Sequence, residues 1–122
     1  MLRAVCLAAG MAVMSVVALD AQEQVSQAPG AVLRGLDKIN GVTSDIELAA
    51  GTTAAFGTLQ ITLDDCRYPV GNPAGNAYAA LEISEMGQTG TLFSGWMVAS
   101  APALSAMDHP RYDVWVMSCT TS

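Results

Sequence analysis

Positive charge, histidine and cysteine are all scarce in this sequence. Its 122 residues carry five Lys and Arg against eleven Asp and Glu, a single His and three Cys. Binding to nucleic acid or to anionic lipid requires clustered Lys and Arg, and no such cluster exists. Calcium chemistry needs closely spaced oxygen ligands, and there is no Asp-x-Asp-x-Asp run. The glycines of "GNPAGN" (71–76) come without the lysine and the strand-to-helix setting of a phosphate cradle. No cofactor is therefore implied. Long apolar runs are missing too, except at the N-terminus, so no stable membrane insertion is expected of the chain beyond it.

That exception is informative. Met1-Leu2-Arg3 is a short positive start, and Ala4 to Leu19 is small or apolar, broken only by Gly10 and Ser15. The run falls short of the roughly 20 residues of a spanning helix. It closes on Leu19-Asp20-Ala21, the kind of small-residue end at which a secretory signal peptide is cut. The expected division is a signal peptide at 1–21, a flexible lead-in at 22–30 ("QEQVSQAPG"), one domain at 31–119 and a tail at 120–122. Cys6 sits at the beginning of the apolar run, the wrong end for a lipid-modified cysteine. The mature chain keeps four basic and ten acidic residues, a net charge of −6.

Export removes Cys6 and leaves Cys66 and Cys119. An even count in an exported chain reads as a disulfide, and two cysteines pair in one way. A metal site built from Cys66, Cys119 and His109 is the rival. It lacks a fourth ligand and a close cysteine pair.

The rest of the chain reads as short strands between glycine- and proline-rich turns. "TLQITLDDC" (58–66) alternates Leu59, Ile61 and Leu63 with polar residues, the period of a half-buried strand. Cys66 falls on the opposite parity to Leu63, so either a bulge re-aims it or the disulfide lies off the core face. "AYAALEIS" (77–84) puts Ala77, Ala79, Leu81 and Ile83 on one face. "SDIELAAGTTAAF" (44–56) alternates through Ile46 and Leu48 and turns near Gly51. "AVLRGLDKIN" (31–40) has a spacing that also suits a helix, weakened by Gly35 and by the turn signal Asn40-Gly41. "TLFSGWMVAS" (91–100) is apolar on both faces, as for a strand covered on both sides. Ser100 and Pro102 open a helix of at most two turns, about 101–108, which His109-Pro110 ends. "YDVWVMSC" (112–119) is a closing buried strand. These features predict an all-β fold, a small antiparallel barrel or sandwich of about six short strands with one short helix.

Catalytic sets fare poorly. A Ser–His–Asp arrangement must use His109, and "FSGW" around Ser94 is not the Gly-x-Ser-x-Gly elbow. Ser105 stands four residues before His109, and Asp108-His109-Pro110 reads more simply as a helix stop. Asp64 and Asp65 are adjacent, so on a strand they point to opposite faces and cannot share one proton. No catalytic or metal residue is assigned. The aromatics of the apolar strands, Trp96 and Trp115 among them, read chiefly as core. What remains is a candidate partner or ligand surface of Trp96, Asp108, His109, Arg111 and Tyr112.

"GTLQITLDDC", "AYAALEIS" and "LFSGWMVASAPALSAMDHPRYDVWVMSC" together closely resemble a family of exported bacterial proteins, domain-of-unknown-function family 2155, found chiefly in alphaproteobacteria. The resemblance covers about residues 32–119 and is most specific from Phe93 to Cys119. It implies a periplasmic location in a Gram-negative envelope, and it makes the Cys66–Cys119 pairing look like a family feature. It attaches no activity, ligand or catalytic residue. The expected function is that of a non-catalytic binding or accessory module of an envelope assembly, with an envelope protein as partner. Two alternatives stand beside it: a small hydrolase or carbohydrate-active protein using the Asp108-His109 corner, and a structural subunit completing a partner's sheet.

Overall fold

The computed structural model describes residues 24–121. The signal peptide expected at 1–21 lies outside the described residues. Eight strands follow one another: β1 (Val25–Gln27), β2 (Gly30–Asp37), β3 (Thr43–Ala49), β4 (Thr53–Phe56), β5 (Leu59–Pro69), β6 (Tyr78–Glu85), β7 (Phe93–Val98) and β8 (Tyr112–Thr120). All of their pairings are antiparallel. One sheet has the order β1-β5-β6-β7, with β4 also on β5, and the other has the order β3-β2-β8. β1 takes the Arg67–Pro69 end of β5 and β4 takes its Leu59–Thr62 end, so the two share one edge. The sheets face each other as a sandwich, β2 against β5 and β8 against β5, β6 and β7. That answers the choice between barrel and sandwich.

The core lies between the sheets. Leu59, Ile61 and Leu63 of β5, Leu81 and Ile83 of β6, Leu33 of β2, and Val114 and Val116 of β8 are sealed from solvent. Each such side chain contributes about 1.5–3 kcal/mol relative to exposure. The alternation read in β5 and β6 is the cause, since period-2 side chains deliver one apolar face to the partner sheet.

Two bulges aim the cysteines. Leu63 opposes Leu81, but the next pair is Asp65 with Ala80, so Asp64 is an extra residue. Leu33 opposes Val116, but Val32 pairs with Ser118, so Met117 is extra on β8. Each cysteine stands three positions past the last buried residue of its strand, and each bulge absorbs the odd step. Cys66 and Cys119 therefore both face the core, joined by a disulfide with Cα atoms 5.8 Å apart. It ties the middle of one sheet to the edge strand of the other.

Several expectations need correction. There are eight strands rather than six. Residues 30–37 form a strand, as the weakened helical spacing allowed, and Gly35 serves packing there: a Cβ would come within 2.6 Å of the Phe56 ring. The helix expected at 101–108 is a single 3-10 turn, Pro102–Ser105, with no side-chain cap. Ser100 instead bonds Asn76, whose amide donates to its hydroxyl (2.9 Å) and accepts its backbone N–H (3.0 Å). The lead-in is partly ordered, since Val25–Gln27 pairs with β5. The tail begins later than expected, because Thr120 still pairs with Gly30. β7 is not covered on both sides: it is an edge strand with Met97 buried and Trp96 43% exposed. Trp115 likewise alternates with buried Val114 and Val116, so it stands on the outer face of β8 and not in the core.

Candidate functional site: the cleft beside Tyr112

The turn from β2 to β3 and the approach to β8 are sewn together. Asp37 opens the turn: its carboxylate accepts from the Ile39 N–H (3.0 Å), and the Asn40 side chain accepts from the Val42 N–H (2.9 Å). This is the local capping for which Asp and Asn are favoured in turns. The Lys38 N–H donates to the Arg111 carbonyl (2.7 Å) and the Lys38 ammonium to the His109 carbonyl (2.7 Å). Arg111 closes the circle with Nη2 donating to Asp37 Oδ2 at 3.0 Å.

His109 is buried and serves as a fastener. Its Nδ1 accepts two backbone N–H groups, from Arg111 (3.0 Å) and Tyr112 (3.1 Å). The proton of the neutral ring then belongs on Nε2, which faces Glu85 Oε2 at 3.5 Å. The imidazole also stacks against Tyr112, with centroids 5.4 Å apart, and Tyr112 meets Phe56 edge-on at 5.3 Å.

Two glycines let the rings settle. Gly57, at φ +58°, lies directly under the Tyr112 phenol, and Gly35 lies under Phe56. At Gly57 a side chain would be both strained and obstructed. Above these rings a cleft of about 250 Å³ opens, lined by Asp37, Asn40, Val42, Ser44, Phe56, Gly57, Arg111 and Tyr112. Ile39 (73% exposed) and Val42 (55%) stand free on the turn beside it. The cleft's own charges are matched. Hydrogen bonding from Arg111 holds the Asp37 carboxyl below the usual carboxylate range, and the same contact raises the Arg111 guanidinium. Arg111 also lies over the Tyr112 ring at 5.2 Å.

The structure brings Arg111, Tyr112 and His109 together, with Arg111 and Tyr112 in the cleft wall and His109 packed beside Tyr112. Asp108 alternates with buried Met107 and His109 and points to solvent. Trp96 is elsewhere, on the outer face of the other sheet, with the Arg67 guanidinium 5.2 Å from its ring and Arg67 paired to Asp65 at 2.7 Å. Phe56, Gly57, Asp37 and Asn40 were not among the expected site residues. Asn40-Gly41 marked a turn, but nothing local told that it would meet Arg111, 71 positions after Asn40. Among the described residues no three His, Cys, Asp or Glu side chains are grouped to hold a metal ion.

Comparison with known proteins now places the chain. Residues 31–119 match domain-of-unknown-function family 2155, described as an uncharacterized protein conserved in bacteria. The chain belongs to this family. It is also 33% identical over 87 residues to an uncharacterized protein of Rickettsia prowazekii (strain Madrid E), covering 69% of this chain and 56% of the relative. The chain thus spans a little over half of that relative's length. No solved structure matches it. Neither comparison brings an activity or a ligand to the family 2155 domain. Among the described residues no helix is long and apolar enough to cross a membrane.

Proposed function

We propose that this family 2155 protein is a periplasmic, non-catalytic binding or accessory module of an envelope assembly, taking an apolar side chain of a protein partner into the cleft beside Tyr112. The observation that carries this is the cleft itself, with aromatic walls, matched charges and two large apolar residues exposed on the adjoining turn. Exposed apolar residues beside a concave aromatic site are the usual mark of an interaction surface. The disulfide and the apolar N-terminal run support export.

The hydrolase reading would need His109 as a base. Its Nδ1 is engaged by two backbone N–H groups and its Nε2 faces Glu85, so the ring has no free nitrogen for substrate. The test uses a photo-crosslinking amino acid in place of Val42 in the full-length protein in intact cells. A discrete adduct from the periplasmic fraction, lost on Ile39→Asp, is expected. Absence of any adduct, or a cytoplasmic protein, overturns the reading.

A further inference from the structure

The three-stranded sheet turns one face to the core and the other to solvent, and the outward face is not that of an ordinary solvated sheet. Buried Ala31, Leu33 and Gly35 of β2 alternate with half-buried Val32, Arg34 and Leu36. On β8, Asp113 and Trp115 alternate outward in the same way, and the bulge leaves Met117 38% exposed. Register sets these side chains in rows. Leu36 lies beside Asp113, Arg34 lies between Asp45 and Trp115, and Val32 lies between Glu47 and Ser118, next to Met117. The result is an apolar stripe of Val32, Leu36, Trp115 and Met117 with acidic groups at its sides. Trp, Met and Arg are the residue types enriched at the centres of protein interfaces.

Charge tells what kind of surface fits. Every Lys and Arg among the described residues is already engaged within the chain. Arg34 forks onto Asp45 (2.8 and 3.3 Å), Arg67 bonds Asp65, Arg111 bonds Asp37, and Lys38 bonds the His109 carbonyl. Among the described residues Glu47, Asp64, Glu82, Asp108 and Asp113 form no ion pair. Glu47 stands at the edge of this stripe. The only cation on this face among the described residues, Arg34, is neutralised by Asp45, so the field left over is negative.

We propose that the outer face of the β3-β2-β8 sheet docks a protein partner whose contact surface has an apolar centre and a rim of Lys and Arg. The proposal rests on the reading of the domain as a binding module whose partner enters the Tyr112 cleft, and adds a second contact face for that same partner and the charge it carries. Trp115 is the anchor, and Glu47 and Asp113 supply the unmatched charge that selects the partner's sign. A rim charge of this kind acts mainly on association rate and salt dependence, whereas the buried aromatic acts on the lifetime of the complex.

The test is site-specific photo-crosslinking in intact cells from position 32, from Val42 and from Thr62 on the outer face of the other sheet, with the adduct mapped by mass spectrometry. The expected result is an adduct from position 32 and none from Thr62, mapping to a partner segment that holds apolar residues and Lys or Arg. Trp115→Ala should cut its yield about tenfold, and Glu47→Lys should cut it and weaken its salt dependence. Melting curves of both variants show whether the fold is kept. Both residues lie outside the core, so a normal melt is expected. An adduct from Val42 but none from position 32 sinks this proposal and leaves the binding-module reading standing. No adduct from either sinks both. An adduct to lipid, to a second copy of this chain or to an acidic segment also overturns it.

Discussion

At the scale of single residues, His109 shows how a rare side chain is spent on structure. Its Nδ1 satisfies two N–H groups where the chain turns from Pro110 into β8, in the manner of the short side-chain acceptors that cap turns. His109→Ala would orphan both donors and leave a hole beside Tyr112. The expected cost is about 2–4 kcal/mol in urea unfolding, since each unsatisfied buried donor costs about 1–3 kcal/mol. His109→Asn, with one acceptor oxygen, should recover part of it. The His109-Pro110 pair was read as a helix stop, but the helical turn already ends at Ser105, so there is no helix for it to stop. The acceptor role depends on ring orientation, which the sequence does not encode in any pattern. A second residue-scale outcome concerns pH. Hydrogen bonding from Arg111 to Asp37, and from Arg34 to Asp45, depresses both carboxyls. A depressed carboxyl adds stability above its unfolded value, near 4, and that stability fades as pH falls through its folded value. The melting temperature should therefore drop on acidification below about pH 4. That drop should be smaller in Asp37→Asn, compared in low salt, because exposed pairs are screened.

Elements were legible where one face is wholly apolar. β5 and β6 declared themselves by strict alternation, and the core they form is the one expected. β2 was ambiguous because Val32, Leu33, Leu36 and Ile39 also carry a helical spacing, and the structural reason for Gly35, which weakened that reading, lies in a residue on another strand, Phe56. The expected helix failed because a cap residue and a proline specify only a first turn. The next residues, Ala106 to Pro110, alternate outward and inward with Met107 and His109 buried, so extended burial won over helix. The parity of Cys66 was a genuine clue to a bulge, and the matching step at Met117 carries the same arithmetic on β8. Moving the cysteine by one position tests this directly. In Asp65→Cys combined with Cys66→Ala, the thiol takes the outward-facing place of Asp65. Such a chain should show two free thiols without reductant. Deleting Asp64 instead restores plain alternation from Leu63 to Cys66 and should leave the bond intact.

At the scale of the whole molecule, the two sheets have no hydrogen-bonded ladder between them among the described residues, and the sandwich is held by side-chain packing and one covalent tie. The core is small: its largest sealed side chains are aliphatic, and the aromatic ring pairs lie at the end near Tyr112. A domain of this size has only about 5–15 kcal/mol of net stability, so a single cross-link weighs heavily. The Cys66–Cys119 bond closes a loop of 53 positions and joins the central strand β5 to the edge strand β8. By the chain-entropy argument it contributes about 4 kcal/mol, chiefly by restricting the unfolded chain. Replacing both cysteines with alanine should therefore lower the unfolding free energy by about that amount, with a denaturant slope that rises because the unlinked chain exposes more surface. Reduction of the wild type should give the same midpoint as the double variant. If the double variant unfolds at the wild-type midpoint, the staple carries no weight, and packing between β2, β5 and β8 alone holds the sheets together.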